Sequence, residues 1–299
     1  MYFLKKYRRG IFNRYMKGRP VSEVFTKDMH YAHRALRNFI LNGLKTKNLL
    51  VYPHYPSKRS MLYKMARRMK YNITNKPTRP FLGAIYWEYY TQRTEFALLE
   101  KLAVSRKVIN LNSRDISKTY IDAAFLKVFG YSANIDPLTF SGKIVRKNNQ
   151  NSMHDGVIID APIKFTDQGY VYQILIDNTE NKKIVKDIRV QIIGGVIDVA
   201  VLKYRRIFER FSKYSIKAEI VPIEQVVNEK EINLLNKFCE EIKLDYGEVN
   251  ILRNNDDEKI YIVDVNNTVH GPPPYLGKRT RKKYIKHMAD LLKSYIEQM

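Results

Sequence analysis

The sequence Asp245-Tyr-Gly-Glu-Val-Asn-Ile-Leu-Arg253 is followed by the polar segment 254–258 and then by Lys259-Ile-Tyr-Ile-Val-Asp-Val-Asn-Asn-Thr268. Both runs are rich in β-branched residues and the segment between them in turn formers, so we expect two strands joined as a hairpin. Asn250, Asp264 and Asn266 interrupt the apolar pattern and place oxygen-bearing side chains at one spot. Mg²⁺ takes oxygen ligands and usually keeps water and phosphate oxygens in its shell. The pattern therefore favours a nucleotide-phosphate site; the alternative is that these side chains only bond to backbone at strand ends.

Length and charge set the outer bounds. The chain of 299 residues can bury a sizeable core in one large or two smaller domains. It has no apolar run of about 18 residues and no recognisable secretory signal, so we expect a cytoplasmic protein. The formal net charge is +23, and residues 1–110 hold 24 Lys and Arg against 5 Asp and Glu. This asymmetry suggests an anionic partner, which could be nucleic acid, acidic lipid headgroups or an acidic glycan.

The basic N-terminal region leaves two interpretations open. Apolar residues among Lys and Arg in residues 1–16 could form an amphipathic helix on an anionic membrane surface or against a lipid-linked glycan. The same residues could instead form a solvated basic face. Nucleic acid is the less favoured partner because the sequence lacks an aromatic RNA-stacking motif. The single cysteine, Cys239, lies in an apolar helical pattern and is expected to be a buried thiol.

The pattern of elements predicts an α+β protein. Helices are expected over 21–44, 60–69 and 92–103, with strands at 81–87 and 108–111 forming a small parallel unit. Trp87 and Arg93 follow the first of these strands and could hold substrate, although packing of Trp87 and solvation of Arg93 are the simpler roles. Further helices are expected near 115–128, 224–242 and 282–296, and strands at 142–147, 157–159, 170–178, 187–194 and 196–204. We expect two regions, a basic N-terminal part over 1–111 and a nucleotide-binding part over 112–299.

Several polar residues along the second region have chemical reasons to face a nucleotide. Lys118 begins a helix and Lys147 ends a strand, so each can neutralise phosphate oxygens. The polar loop 148–156, which contains His154, can offer backbone N–H groups to phosphate. This loop lacks the glycine and lysine spacing of a Walker motif.

In this order of elements, the chain resembles the ATP-grasp superfamily of carboxylate–amine ligases. The likeness covers about residues 112–275. It resembles the ligases that add glutamate to a ribosomal protein at Gln173-Ile-Leu-Ile176, Asp187-Ile-Arg189, Val249-Asn-Ile-Leu252 and Asp264-Val-Asn266. It is also similar to the sugar-transferase-associated and teichuronopeptide-type ATP-grasp proteins found with surface-polysaccharide genes. The matching positions there are Asp115-Ile-Ser-Lys118, His154-Asp-Gly156 and Tyr246-Gly-Glu-Val-Asn-Ile-Leu-Arg253.

The resemblance implies a fold of two α+β subdomains that grip ATP, preceded by a small helical and βαβ domain. It implies ATP and Mg²⁺ as cofactors, a carboxylate and an amine as substrates, and an acylphosphate as the intermediate. The implied nucleotide-binding residues are Lys118, Lys147, His154, Gln173, Leu175, Ile176 and Asp177. The implied magnesium ligands are Asn250, Asp264 and Asn266, and the groups that stabilise the transferred phosphoryl are Arg189, Lys203 and Arg210.

Two positions depart from the family pattern. Asn250 stands where an Asp ligand is usual, and Asp264 stands where Glu is common. An amide oxygen can bind Mg²⁺ but adds no charge, so weaker metal binding or loss of activity is an open alternative. The resemblance thus implies a ligase of bacterial surface-polysaccharide biosynthesis that joins a sugar acid to an amino acid or amine. Its rivals are an ATP-grasp pseudoenzyme and a non-catalytic binding protein for nucleic acid or anionic polymer.

Overall fold

A computed structural model of the protein describes residues 21–273 and 275–298. The described residues divide into two compact units, one of residues 21–47 with 70–72 and the other of residues 48–69 with 73–273 and 275–298. The predicted amphipathic helix over residues 1–16 lies outside the described residues. Within the described ranges, no helix is both long and apolar enough to cross a lipid bilayer.

The first unit contains the helix α1 (Val21–Leu41). Asn38 on this helix is buried and donates from Nδ2 to Asn72 Oδ1 at 2.9 Å. Large apolar side chains on another face of the helix are left in water, with Met29, Leu36 and Ile40 all more than half exposed. These three residues recur at intervals of seven and four, which is the spacing of one helix face. The helix therefore presents an apolar stripe to solvent.

The second unit begins with a small sheet in the strand order β2-β1-β3-β4. Its strands are β1 (Asn48–Pro53), β2 (Asn72–Thr74), β3 (Gly83–Trp87) and β4 (Val108–Ile109), and its helices are α2 (Met61–Arg68) and α3 (Ala97–Ala103). β3 pairs in parallel with both β1 and β4, so the predicted βαβ unit is confirmed. The strand β1 was not predicted, because its short apolar run carries no periodic signal.

A second small sheet has three antiparallel strands in the order β6-β5-β7. They are β5 (Gly142–Asn148), β6 (Val157–Ala161) and β7 (Tyr170–Ile174), and they follow the helix α4 (Lys118–Phe129). Ser117 caps this helix by accepting from the N–H of Tyr120, and Gly130 ends it in a left-handed conformation. The cap fixes Lys118 as the first helical residue, as the sequence predicts.

The large sheet runs β11-β10-β9-β12-β13, with β8 paired to β9. Its strands are β8 (Thr179–Asn181), β9 (Ile184–Ile193), β10 (Val199–Arg206), β11 (Lys217–Pro222), β12 (Tyr246–Arg253) and β13 (Ile260–Asn266). The helices α5 (Glu229–Glu241) and α6 (Lys278–Glu297) complete the unit. Both predicted hairpins, β9 with β10 and β12 with β13, are confirmed.

Alternation along the large sheet separates an apolar face from a polar one. Ile188, Val190 and Ile192 of β9 join the core with Val249 and Ile251 of β12. The same core contains Phe125 of α4, Leu235 and Phe238 of α5, and the buried thiol of Cys239, whose pKa burial raises to about 12. Successive residues of a strand point to opposite faces, so the residues between these apolar ones face the other side of the sheet. That second face carries the candidate site.

Candidate active site

Strand register places the predicted metal ligands side by side. Asn250 of β12 lies opposite Asp264 of β13 on one side and opposite Arg189 of β9 on the other. The Asn250 amide nitrogen Nδ2 lies 3.5 Å from Asp264 Oδ2. Among the described residues, neither Asn250 Oδ1 nor Asp264 Oδ1 has a hydrogen-bond partner, although both atoms are buried. Two buried oxygen acceptors without donors are what a hard cation would satisfy.

The remaining candidate ligand, Asn266, is already engaged. Its Oδ1 accepts from the backbone N–H of Thr268 at 2.9 Å and from the Thr268 hydroxyl at 3.3 Å. Among residues 21–273 and 275–298, no group of three or more His, Cys, Asp or Glu side chains could hold a metal ion. The residues present therefore fit Mg²⁺ only as one carboxylate with amide oxygens, the other positions being left to water and phosphate oxygens.

Burial dominates the electrostatics of Asp264. It raises the pKa of this carboxyl, while the charges of Lys118, Arg189 and Lys147 act in the opposite direction. The three cations approach from three different elements, α4, β9 and β5. The site thus gathers three cations around Asp264, beside a second buried carboxyl, Glu248, that pairs with Arg189. Positive charge of this kind suits an anionic ligand.

The two predicted phosphate-binding lysines lie on the elements next to the large sheet. Lys118 Nζ donates to the Gln150 carbonyl at 2.8 Å, and Lys147 Nζ donates to Gln173 Oε1 at 2.9 Å. Burial and, to a smaller extent, the neighbouring charge of Lys118 lower the pKa of Lys147 to about 8, against the opposing effect of Asp264 and Asp187. Burial also lowers the pKa of Lys118. Both ammonium groups are partly desolvated, so an incoming anion would interact with them strongly.

The loop 148–156 is anchored at Asn151. Asn151 donates from its backbone to Thr91 Oγ1 at 2.9 Å and from Nδ2 to the Val265 carbonyl at 2.6 Å. Ser152 and His154 adopt left-handed backbone conformations, with φ of 64° and 54°. His154 is exposed as a whole residue, but its ring is partly buried, and this burial is the largest cause that lowers its pKa. The loop is therefore anchored beside β13 while its tip is open to solvent.

The predicted adenosine segment connects the small antiparallel sheet to the large sheet. Gln173 is buried and donates to Asn134 Oδ1 at 3.1 Å, and the half-buried Leu175 follows it. The side chain of Ile176 is part of the core, so only its backbone can face a ligand; its carbonyl accepts from Arg210 Nη2 at 2.8 Å. Asp177 Oδ1 accepts from the Thr179 N–H at 3.0 Å. Burial opposes ionisation of Asp177, but these bonds hold its pKa below the usual value.

The predicted cations Arg189, Lys203 and Arg210 differ in their surroundings. Arg189 Nη1 donates to Glu248 Oε1 at 2.6 Å, and Lys203 on β10 lies opposite Asp187. Burial lowers the pKa of Lys203 to about 8, helped by Arg189 and Arg205. Burial lowers the pKa of Arg210 as well, against Asp187 and Asp177. Although its backbone pairs with β9 and β11, the Lys203 side chain makes no hydrogen bond or ion pair within the part of the chain that the structure describes, which leaves its ammonium group available.

Four residues on the strands of this face were not predicted to take part: Asp187, Gln191, Arg205 and Glu248. Glu248 accepts from both Arg189 and Gln191, and Asp187 accepts from Arg205 and Asn178. Alternation could have found them, since Glu248 precedes Asn250 by two residues and Arg205 follows Lys203 by two.

The position of Arg93 contradicts the prediction that this residue holds substrate or is solvated. It is neither solvated nor placed to bind substrate, because it is 4% exposed. It donates to the carbonyls of Tyr86, Ser113 and Asn267, each at 3.3 Å, and its guanidinium lies 4.7 Å from the Tyr86 ring centroid. Trp87 is fully buried, in line with the packing role.

No protein-family model and no curated protein matches this chain in sequence. Solved structures do match. One is the ATP-grasp ligase PsnB complexed with a phosphomimetic variant of minimal precursor, Mg and ADP, with a TM-score of 0.54 and 11% identity over 84% of this chain and 99% of that one. Another is D-alanine–D-alanine ligase from Bacillus anthracis complexed with ATP, with a TM-score of 0.54 and 14% identity over 85% of this chain and 97% of that one. The chain therefore has the ATP-grasp fold, as the sequence predicts.

Proposed function

We propose that this protein is an ATP-dependent carboxylate–amine ligase that works through an acylphosphate. The observation that carries this proposal is the pair of buried, unpartnered oxygens of Asn250 and Asp264. They lie where Lys118, Lys147 and Arg189 all influence the Asp264 carboxyl. Such a site offers oxygen ligands to a divalent cation and positive charge to phosphate groups.

The nucleotide would be held by residues from both sheets. Lys118 and Lys147 bind the α and β phosphates, and the loop 148–156 with His154 covers them. Gln173, Leu175 and the backbone of Ile176 line the adenosine pocket, with Asp177 at the ribose. Asn250 and Asp264 would hold Mg²⁺, and Asn266 would contribute through an oxygen that already accepts from Thr268. When bound, Mg²⁺ supplies charge neutralisation at the β and γ phosphate oxygens.

The reaction proceeds in two transfers. An oxygen of the substrate carboxylate attacks the γ phosphorus, and the bond to the β-phosphate oxygen breaks, giving an acylphosphate and ADP. The amine nitrogen then attacks the acyl carbon, the bond to the phosphate oxygen breaks, and the amine loses a proton. Arg189, Lys203 and Arg210 stabilise the negative charge of the transferred group and orient the carboxylate. No side-chain nucleophile is required.

For the substrates, we propose a sugar acid as the carboxylate and an amino acid or amine as the acceptor, in bacterial surface-polysaccharide biosynthesis. The support is the sequence likeness at Asp115-Ile-Ser-Lys118 and His154-Asp-Gly156. PsnB has also been solved with the precursor peptide PsnA2, which makes a peptide the competing substrate class.

For the location, we propose that the protein is cytoplasmic and that its basic N-terminal region contacts the anionic inner face of the membrane or a lipid-linked glycan. Residues 1–20 carry seven Lys and Arg and no acidic residue. The exposed apolar stripe of α1 adds a surface that could enter the headgroup region. Co-sedimentation with phosphatidylserine vesicles tests this proposal. Leu36→Asp should reduce sedimentation, whereas equal binding to neutral phosphatidylcholine vesicles at high salt would contradict it.

The function is tested by product analysis. The protein is incubated with Mg-ATP and panels of uronic acids, amino acids and short peptides, and nucleotides and conjugates are identified by mass spectrometry. ADP release that requires both a carboxylate and an amine supports the proposal, while AMP release contradicts the acylphosphate.

Asn250 favours one rival, an ATP-grasp pseudoenzyme, because an amide in place of a carboxylate weakens metal binding. A pseudoenzyme would show a thermal shift with Mg-ATP and no turnover. A non-catalytic polyanion-binding protein would show no shift with Mg-ATP and steeply salt-dependent binding to generic polyanions.

A further inference from the structure

Three ring side chains form a patch at the carboxyl ends of β1 and β3. His54 follows β1 directly, and Tyr89 and Tyr90 follow β3. The His54 ring stacks on Tyr89 with centroids 5.5 Å apart and 19° between the planes, and it meets Tyr90 edge-on at 5.7 Å. Tyr89 is 42% exposed and Tyr90 is 59% exposed. Exposed rings at the carboxyl edge of parallel strands indicate a binding surface. We call these three residues the ring patch.

The ring patch is held in place by the backbone. His54 Nδ1 accepts from the Tyr89 N–H at 3.1 Å, and the Tyr89 hydroxyl accepts from the Ser57 N–H at 3.1 Å. Trp87 packs edge-on against Tyr89, with ring centroids 6.0 Å apart. The rings are thus ordered before any ligand arrives, which reduces the entropy lost on binding.

Two chains of hydrogen bonds connect the ring patch to the candidate active site. Thr91, the residue after Tyr90, accepts from the Asn151 N–H, and Asn151 in turn donates to the carbonyl of Val265, the neighbour of Asp264. On the other side, Ser57 accepts from Ser60, which pairs with His270 just beyond β13. The patch therefore borders both the phosphate loop and the segment that follows the metal-binding strand.

Charges of both signs lie near the ring patch, since the Glu88 carboxylate lies between Trp87 and Tyr89 in the sequence and interacts electrostatically with His54. Lys64 donates to the carbonyls of Arg59 and Gly271, so its ammonium group lies between the segment after β1 and the segment after β13. Burial lowers the pKa of Lys64, and the charge of Arg281 acts in the same direction.

We propose that the ring patch is the subsite for the pyranose ring of a sugar-acid substrate. A pyranose has an apolar face of C–H groups and hydroxyls around its edge. The tyrosine and histidine rings match it with flat apolar faces and a polar rim. The patch adjoins the phosphate loop, so a bound sugar acid lies beside the site where its carboxylate would be activated. The assignment to a substrate rests on the proposed ligase function; the binding itself does not.

The test measures binding in the absence of ATP. Glucuronic acid is titrated into the protein while the fluorescence of Trp87, the single tryptophan of the chain, is followed, with saturation-transfer NMR as a second measurement. We expect Tyr90→Ala to weaken binding by about 3- to 10-fold, because one aromatic ring contact contributes about that factor to the affinity. Tyr89→Phe, which keeps the ring, should retain affinity to within about twofold. Phe165→Ala removes a ring that is 75% exposed elsewhere and should change nothing.

Steady-state kinetics add a second, independent readout. In Tyr90→Ala the KM for the sugar acid should rise while the KM for ATP stays unchanged. Equal glucuronic acid binding by the wild type and Tyr90→Ala, or no binding by the wild type, overturns the subsite. Tyr90-dependent binding of a carboxylate-bearing peptide without glucuronic acid binding overturns it in favour of a peptide site. Glucuronic acid binding that depends on Tyr90, without any ADP release, would preserve the subsite and remove the ligase function.

Discussion

Asn250 and Asp264 lie directly opposite each other on β12 and β13, and each has a buried side-chain oxygen, Oδ1, with no partner among the described residues. An unmet buried acceptor costs free energy comparable to a lost hydrogen bond. The protein without ligand is therefore less stable than the same fold with these oxygens satisfied. Mg²⁺ together with nucleotide is expected to raise the melting temperature by more than either alone.

Asn250→Asp should strengthen metal binding. A second carboxylate adds ligand charge, so we expect the Mg²⁺ concentration for half-maximal ATP turnover to fall by about 10-fold. Without Mg²⁺ the variant should be less stable than the wild type, because two carboxyls then share a buried site. Titration of Mg²⁺ against ADP release measures the first effect and denaturant unfolding the second. Asn233→Asp, an exposed position on α5, is the matched control. An unchanged Mg²⁺ requirement in Asn250→Asp would remove Asn250 from the metal site.

Asp264→Asn should abolish turnover while preserving the fold. Asp264 is the one carboxylate among the proposed metal ligands, so its loss should lower ATP turnover by at least about 100-fold. Burial raises the folded-state pKa of Asp264, so its ionisation destabilises the protein as the pH rises through that pKa. The amide variant should thus be at least as stable as the wild type at neutral pH without ligand. Retention of more than a tenth of the turnover would contradict the metal assignment.

Lys147 and Lys203, with pKa values of about 8, predict a pH dependence. Both lose their charge as the pH rises through about 8, so the KM for ATP should increase there. Unfolded lysine titrates near 10.5, so the unfolded chain binds more protons between pH 8 and 10.5, and these two groups should make stability rise across that window. ATP binding near pH 8 should take up protons, measurable by calorimetry in buffers of different ionisation enthalpy.

Lys147→Arg provides the control for that prediction. Arginine stays charged throughout this range, so the rise in KM should move to higher pH. Identical pH profiles for wild type and variant would show that Lys147 does not titrate in contact with the nucleotide.

Glu248 is expected to position Arg189 for the carboxylate substrate. Glu248→Gln leaves an acceptor for Arg189 but removes the charge that holds the guanidinium in place. The KM for the carboxylate should rise by about 10-fold, with the KM for ATP little changed. Glu248→Asp keeps the negative charge, so it should raise the KM for the carboxylate less than Glu248→Gln does. Equal increases in both KM values would indicate a general structural role instead.

Arg93 is expected to stabilise the fold without taking part in catalysis. Arg93→Ala leaves three buried carbonyls without their hydrogen-bond donor. The free energy of unfolding should therefore fall by about 3 kcal/mol. The exposed Arg106 bonds one carbonyl and lies over the Phe81 ring. Arg106→Ala should therefore lower the free energy of unfolding by about 1 kcal/mol or less. Denaturant unfolding of both variants makes the comparison, and equal losses would contradict it.

Local patterns in the sequence were sufficient for many elements. The hairpin of β12 and β13, the one of β9 and β10, and the cap that begins α4 at Lys118 all follow from propensity, turn formers and capping, which act over a few residues. The first and last residues of the helices were predicted less accurately. The helix predicted over 92–103 begins at Ala97, and the one predicted over 224–242 begins at Glu229 after a short 3₁₀ turn at Ile223–Gln225. Helix ends depend on competing turns that periodicity does not distinguish.

The sequence by itself determined which residues can meet on the polar face of the large sheet, since alternation along β9, β10, β12 and β13 is a local property. Only the tertiary structure decided which of them pair. Arg189 pairs with Glu248, 59 residues away, because β9 lies beside β12, and Arg93 is buried because segments ending at Ser113 and Asn267 close over it. Strand order and burial depend on contacts between distant parts of the chain, and no local pattern in the sequence encodes these contacts.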